Sequence, residues 1–323
     1  MATNLSLDNC SAPDLTFQSA LYATTFTIVF IPGLFANSAA LWVLCRFINK
    51  KNKSVIFMIN LATADLAHVL SLPLRIYYYV NHVWPFQSTL CLMCFYLKYL
   101  NMYASIAFLT CISIQRCVFL RSPFKVKDWK RRYDVGMCAI IWLLVGGSCS
   151  LFPVMRSSQL KTNSCFADLS VRKINVVSSS IMLTLGELAG FVIPFITIAF
   201  CTWKTRQFLQ STDTLAVYAK EKYRALKMVL MCATVFFICF TPYHINFALY
   251  LLVNLDIIRH CNVRSWILRF HPFTLCLASL NCCLDPILYY FTAGEFKTQV
   301  SRHGSTLLRG RLMSKESGSS MKD

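Results

Sequence analysis

The sequence predicts an all-α membrane protein: a seven-helix transmembrane bundle with an extracellular N-terminus and a short cytoplasmic helix eight. Three observations carry this. Of 323 residues, 56% are apolar and only 14% charged, and mean hydropathy is positive, a composition too greasy for an ordinary water-facing surface. Seven stretches, at 22–47, 55–80, 91–120, 135–155, 176–202, 227–253 and 266–291, match the ~20 mainly apolar residues that a helix needs to cross a bilayer. The third observation is where the cations fall.

Cytoplasmic loops close to the spans retain Lys and Arg. None precedes Arg46. Four lie after span one (Arg46, Lys50, Lys51, Lys53), seven from Arg116 to Arg132 after span three, six from Lys204 to Lys227 after span five and six beyond span seven. These 23 of the 32 basic residues share one side, which makes that side cytoplasmic and the N-terminus extracellular. The net charge of +18 therefore reports topology and anionic lipid, and no soluble basic face is left for a nucleic acid. The expected organisation is an extracellular tail over 1–21, a membrane domain over 22–291, and helix eight with a cytoplasmic tail over 292–323. Helix eight is placed from Phe291 to Arg302, with no Cys beyond it for palmitoylation, so its anchor is amphipathic.

The N-terminus shows no basic region and no small-residue cleavage site, so span one is expected to act as its own insertion signal. Asn4-Leu-Ser6 and Asn9-Cys-Ser11 are glycosylation sequons that agree with an extracellular tail. Most of the 16 cysteines fall inside spans, where they read as small buried hydrophobes. Cys10, Cys91, Cys165 and Cys261 lie at the outer, oxidising surface, where two bridges are possible and spacing does not give the pairing. Cys91-Leu-Met-Cys94 also spells a redox or zinc pair, but no second ligand pair accompanies it.

An ionisable group inside a span costs ~3 kcal/mol on insertion scales, so each is a functional candidate. Near mid-membrane stand Asp65 in span two, Asn101 and Ser105 in span three, and Asn281 and Asp285 in span seven. Their oxygens could hold a small hard cation such as sodium, or form a hydrogen-bonded polar layer with both acids satisfied. No other cofactor or metal is expected. Arg75 lies ten residues, about 15 Å, further out than Asp65. Lys98 is one to two turns below the outer end of span three, and Arg156 ends span four. With Tyr22, Tyr78, Tyr79, Phe95 and Tyr99 interleaved, these cations suit an outer cavity that takes an anion. Arg75 and Arg156 could instead snorkel to the headgroups; Lys98 is too deep to do so comfortably.

These positions, in this order and spacing over residues 20 to 300, resemble the rhodopsin-like (class A) G-protein-coupled receptors. The matches are Asn37 in "GLFANSA", Leu61 and Asp65 in "LATAD", Trp84 in "WPF", Cys91, Arg116, Trp142, Pro194, Pro242 in "CFTPYH", and "DPILY" from Asp285 through Pro286 to Tyr289. "NHVWPF", "CFYLKYLNMYASIAFLTCIS" and "DPILYYF" are similar to the branch of metabotropic purinoceptors and their lipid-sensing relatives. The resemblance implies a multi-pass plasma-membrane receptor for heterotrimeric G proteins. It puts Arg116 at the family's Asp/Glu-Arg-Tyr arginine, flanked here by Gln115 and Cys117, so the usual acid is missing and measurable basal activity is expected. Pro123 and Phe124 then read as a G-protein contact on the second cytoplasmic loop. Pro194, Ile106 and Phe236 match the core trio that repacks on activation, Phe240 replaces the usual Trp two residues before Pro242, Thr202 stands where many members have Tyr, and Asp285 replaces Asn.

For the ligand, the nucleotide receptors of this branch carry a basic residue three positions after the helix-six His and often an Arg on helix seven; here those positions are Phe247 and Leu275. This ranks a nucleotide second, and the resemblance to lysophosphatidylserine receptors implies an extracellular lysophospholipid, most of all lysophosphatidylserine, as the ligand. Arg75, Lys98 and Arg156 would hold phosphate or carboxylate, with Tyr22, Tyr79, Tyr99 and His244 as partners. Glu187 would face the amine or sit as a buried neutral acid, and the acyl chain would lie among spans four and five. Resemblance to lysophosphatidylserine receptors implies Rho-activating G proteins, and Ser314, Ser317, Ser319 and Ser320 offer sites for kinases and arrestin. An ion or solute transporter is the rival from another class, but the halves show no repeat. No enzyme is expected: there is no metal-ligand spacing, no Gly-x-Ser-x-Gly elbow and no phosphate-binding loop.

Overall fold

The computed structural model describes residues 15–46, 54–121, 129–151, 153–154, 165–166, 177, 181, 183–210, 216–255 and 257–288. They form seven long helical segments: α1 Leu15–Arg46, α2 Val55–Asn81, α3 Ser88–Arg121, α4 Arg131–Cys149, α5 from Leu183–Val192 into Ile193–Gln210, α6 from Ala216–Val235 through Phe236–Phe240 to Thr241–Asn254, and α7 Cys261–Ser279, which continues beyond a turn to Leu288. Six are long and apolar enough to cross a membrane; α4, which opens on Arg131, Arg132 and Asp134, is the seventh.

Helices are the physical requirement here, because hydrocarbon offers no hydrogen bonds and each span must satisfy its own backbone. Pro32, Pro73 and Pro272 nonetheless sit inside helices, which membrane helices tolerate because neighbouring helices and side chains can satisfy the carbonyl that each proline leaves without a donor. In α1 the buried residues Gln18, Tyr22, Phe26, Val29, Gly33, Asn37, Ala40 and Leu44 recur every three or four positions, so one stripe faces the bundle while Ile28, Ile31, Phe35 and Trp42 face outward. The stripe begins at Gln18, so α1 starts seven residues before the expected span and takes in part of the tail assigned to 1–21. At the far end of α2, His82 adopts a left-handed conformation (φ 56°) and its N–H caps the Tyr78 carbonyl at 2.7 Å.

The segments close into a ring around α3. α1 packs on α2 and α7, α2 on α3 and α4, α5 on α3 and α6, and α6 on α7, while α3 touches α2, α4, α5 and α6. Polar side chains tie the ring together. Asn37 Nδ2 donates to the carbonyls of Gly33 (2.9 Å) and Cys282 (2.7 Å), joining α1 to α7, and Trp142 Nε1 donates to Asn60 Oδ1 (2.7 Å), joining α4 to α2. Gly33 permits the α1–α2 approach: a Cβ there would stand 3.0 Å from Val69 Cγ2.

Two segments of the ring are wound more widely than an α-helix. Leu183–Val192 and Phe236–Phe240 are π-helical. The second precedes Pro242, which has no N–H to give to the preceding turn, and the Thr241 hydroxyl reaches back to the Phe236 carbonyl at 3.4 Å. The first carries Gly186 and Gly190, and a Cβ on Gly190 would stand 2.6 Å from the Tyr103 ring. The tyrosine of α3 thus lies directly on the backbone of α5.

Candidate functional site: a polar column through the bundle

At the outer end, Cys91 of α3 is bonded to Cys165, with Cα atoms 5.6 Å apart. Cys261 is also disulfide-bonded, whereas Cys10, Asn4 and Asn9 lie outside the described residues. The Cys91 bond fixes Phe166, which the sequence reading passed over. Its ring packs on Tyr78 (5.4 Å), Tyr79 (5.9 Å), Trp84 (5.5 Å) and Phe95 (5.0 Å), and the Arg75 guanidinium sits 4.8 Å from its centroid.

Arg75 is 2% exposed, and its Nη2 donates to the Cys94 carbonyl. It does not snorkel; it is covered by a ring and a backbone oxygen. Lys98 is only half-buried, 5.3 Å from the Tyr99 ring, and interacts electrostatically with His68 on α2 and His271 on α7. Arg75 also acts on His68 and Tyr99, so the two cations share neighbours and differ in burial, and Arg156 lies outside the described residues. Tyr22 stacks on Tyr79 at 4.7 Å, and Tyr99 is in hydrogen-bonding reach of Tyr243.

Deeper, α5 and α6 meet through Glu187 and His244. His244 Nδ1 lies 3.1 Å from Glu187 Oε1, and the imidazole is fully buried, stacked on Phe191 at 4.7 Å. Tyr103 presents its ring edge to the same His at 5.8 Å, and its buried hydroxyl has no hydrogen-bond partner among the described residues. From Tyr103 a cavity of about 410 Å³ runs between α3, α4 and α5, walled by Ile106, Ala107, Val145, Leu144 and Leu185. Leu144 and Leu185 are exposed on the lipid-facing surface, so the cavity opens sideways into the bilayer.

Near mid-membrane, Asn101 Nδ2 donates to Asp65 Oδ1 (2.8 Å), and Asn281 Nδ2 donates to Ser105 Oγ (3.1 Å) and to Asp65 Oδ1 (3.5 Å). All five predicted residues of this layer are buried, and Asp65 Oδ2 and both oxygens of Asp285 have no hydrogen-bond donor among the described residues. Beside it, Ile106, Pro194, Phe236 and Phe240 are buried, and Phe236 stacks on Phe191 at 5.6 Å. Pro242 and Pro286 are half-buried. At the cytoplasmic end Arg116 is half-buried, and Gln115 turns away from it to accept a hydrogen bond from Ser54, the residue before α2. Pro123, Phe124 and Tyr289 lie outside the described residues.

Residues 36–289 match the model of the 7 transmembrane receptor (rhodopsin family). The chain belongs to that family. The receptor is 64% identical over 313 residues to a human protein named as a "putative" purinoceptor 10, an alignment covering 97% of this chain and 92% of that one. It is 50% identical to the human "Probable G-protein coupled receptor 174" (91% and 90% covered) and 36% identical to the human lysophosphatidic acid receptor 4 (91% and 80% covered). It is accordingly a multi-pass plasma-membrane receptor, not an enzyme, with a small-molecule ligand and G-protein coupling implied by its family.

Sequence reasoning missed Tyr103, Gly186, Gly190 and Phe166. The Gly-x-x-x-Gly spacing of 186–190 was the available signal for the glycines, since small residues four apart let two membrane helices approach closely. The receptor's two outer cations differ in a way that can be measured. Replacing Arg75 by Ala leaves the Cys94 carbonyl and the Phe166 ring without their partner, so the ligand-free receptor in detergent should melt several degrees lower. Lys98→Ala should lower the ligand-free melting temperature by less, because Lys98 is only half-buried whereas Arg75 is 2% exposed. Equal losses in the two variants would show that Arg75 is not a structural cation.

Proposed function

We propose that the receptor is activated by an extracellular lysophospholipid, with lysophosphatidylserine as the ligand and Rho-activating G proteins as the output. The observation that carries this reading is the lipid-facing cavity beside the Glu187–His244 pair. A lysophospholipid joins one charged headgroup to one long apolar chain. The cavity provides an apolar wall for the chain, and Tyr103, which lines it, joins it to the His244–Glu187 pair, with Lys98 five residues further out on α3. A nucleotide has no apolar chain to place there and needs more positive charge than the outer site supplies; Phe247 and Leu275, where its extra cations would be, are each 7% exposed and packed in the core. The relatives support both classes by name, one set purinoceptor-like and one for lysophosphatidic acid. In this reading Glu187 accepts from the serine ammonium, Lys98 takes the phosphate, and Arg75 holds the aromatic floor. Kinases and arrestin act at the Ser-rich tail.

G-protein dissociation in cells should respond to lysophosphatidylserine and not to uridine or adenosine nucleotides. Lys98→Ala and the cavity-filling Ala107→Phe should each raise the half-maximal concentration tenfold or more at matched surface expression. A response to nucleotides alone would replace this reading by the purinoceptor one.

Basal output is expected because Gln115 is hydrogen-bonded to Ser54 and supplies no charge to restrain Arg116. Gln115→Glu restores an acid beside the arginine and should lower ligand-free signalling at least twofold; unchanged basal output would remove the idea.

The mid-membrane layer fits a sodium ion: three buried carboxylate oxygens of Asp65 and Asp285 face the layer without donors among the described residues, with Asn101, Ser105 and Asn281 beside them. Bound there, sodium would supply positive charge between the two acids. Raising sodium at constant ionic strength should then raise the melting temperature of the wild type and leave Asp65→Asn unmoved. Equal sodium responses in both would leave the acids as a hydrogen-bonded pair.

A further inference from the structure

A second cavity, of about 230 Å³, opens at the cytoplasmic end between α3 and α5, where Cys117, Leu120 and Arg121 face Lys204, Thr205 and Gln207. Its described lining contains two cations and no carboxylate. Placement of positive charge on the cytoplasmic side accounts for Arg121 and Lys204 by topology alone. It does not account for Thr205.

A threonine inside a membrane helix normally returns its hydroxyl to a carbonyl one turn back. Thr197 and Thr202 of the same helix do so at 2.8 and 2.7 Å, and Thr63, Thr110 and Thr234 repeat the pattern elsewhere in the bundle. Thr205 does not. It is 1% exposed, it lines the cavity, and its Oγ1 has no hydrogen-bond partner among the described residues. A buried hydroxyl left unmet beside two cations marks a place where an acceptor with negative charge belongs.

We infer that this cavity binds a phosphate group at the cytoplasmic surface. Arg121 and Lys204 neutralise its charge, the Thr205 hydroxyl donates to one of its oxygens, and Leu120 and Phe208 supply apolar wall. Lys204, which now donates to Gln207 Oε1 at 3.1 Å, needs only to redirect one of its three N–H bonds. Two sources carry this chemistry: the headgroup of an anionic phospholipid of the inner leaflet and a soluble phosphate of the cytosol. The site does not depend on the identity of the extracellular ligand.

Cys117 reports on occupancy because its half-buried thiol lines the same cavity, while the exposed Cys45 on α1 serves as an internal reference. The full-length receptor in phosphatidylcholine nanodiscs would be treated with a maleimide, and labelling of each cysteine followed by mass spectrometry. Three additives are compared: dioctanoyl phosphatidylinositol bisphosphate, inositol trisphosphate and inorganic phosphate. The expected result is saturable slowing of Cys117 labelling by threefold or more with the lipid, an unchanged rate at Cys45, and loss of protection in the Arg121→Gln, Lys204→Gln double variant. Thr205→Val should weaken protection and Thr205→Ser should retain it, which separates the hydroxyl's role from a packing defect. Protection by the lipid alone assigns a membrane source, and equal protection by inositol trisphosphate assigns a cytosolic one. If none of the three slows Cys117, or if the double variant is protected like the wild type, the site does not exist.

Discussion

The hydrogen bond from Asn101 on α3 to Asp65 on α2 holds the centre of the receptor, and much of the bundle is arranged around it. A carboxylate at mid-membrane has no water to turn to, so its partners must come from neighbouring helices. Asn281 on α7 supplies one more donor and bonds Ser105 on α3, which draws three helices onto one axis. Asn37 on α1 then reaches the Cys282 carbonyl one residue along α7, so the polar layer also sets how α1 docks. Apolar side chains alone would not choose this arrangement, because lipid tails match a leucine as well as another leucine does.

The same logic, applied in reverse, explains where the bundle is loosest. The π-wound turns of α5 and α6 stand at the level of Tyr103, His244 and Phe236, where the helices must widen to admit side chains from α3. The outer polar site and the buried aromatic layer thus share walls. Phe191 touches both His244 (4.7 Å) and Phe236 (5.6 Å), giving a direct packing route from the outer site to the helix-six kink. A ligand group that moves His244 must repack Phe191, and with it Phe236 on the cytoplasmic side of Pro242.

Much of the frame was legible in the chain before any coordinates. Lys and Arg placement orients the spans because charge is read by the membrane locally, loop by loop, and the charged or amide residues inside apolar runs are conspicuous because each carries an insertion cost. Asp65, Asn101, Ser105, Asn281 and Asp285 were therefore visible as a layer, and the structure buries all five together. The outer cations were visible one by one but not as a geometry. Ten residues along a helix give Arg75 its depth and say nothing of its azimuth relative to Lys98, and the partner that covers Arg75 comes from a loop some ninety positions later. Gln115 was noted for lacking charge, yet its bond to Ser54 joins positions far apart in sequence and has no local signature.

Sequence alone determined that this protein is a helical membrane bundle, because span length and apolarity are summed along the chain and need no contact between distant residues, and its motifs in order placed it among the rhodopsin-like receptors. Tertiary structure alone decided that Arg75 is capped by Phe166 while Lys98 stays half-buried, that Glu187 meets His244, that two glycines let Tyr103 lie on α5 beside a lipid-facing cavity, and that Thr205 is left unmet at the cytoplasmic end among the described residues. Each of these depends on the rotation of one helix about its axis relative to its neighbour, and that angle is fixed only when the whole ring closes.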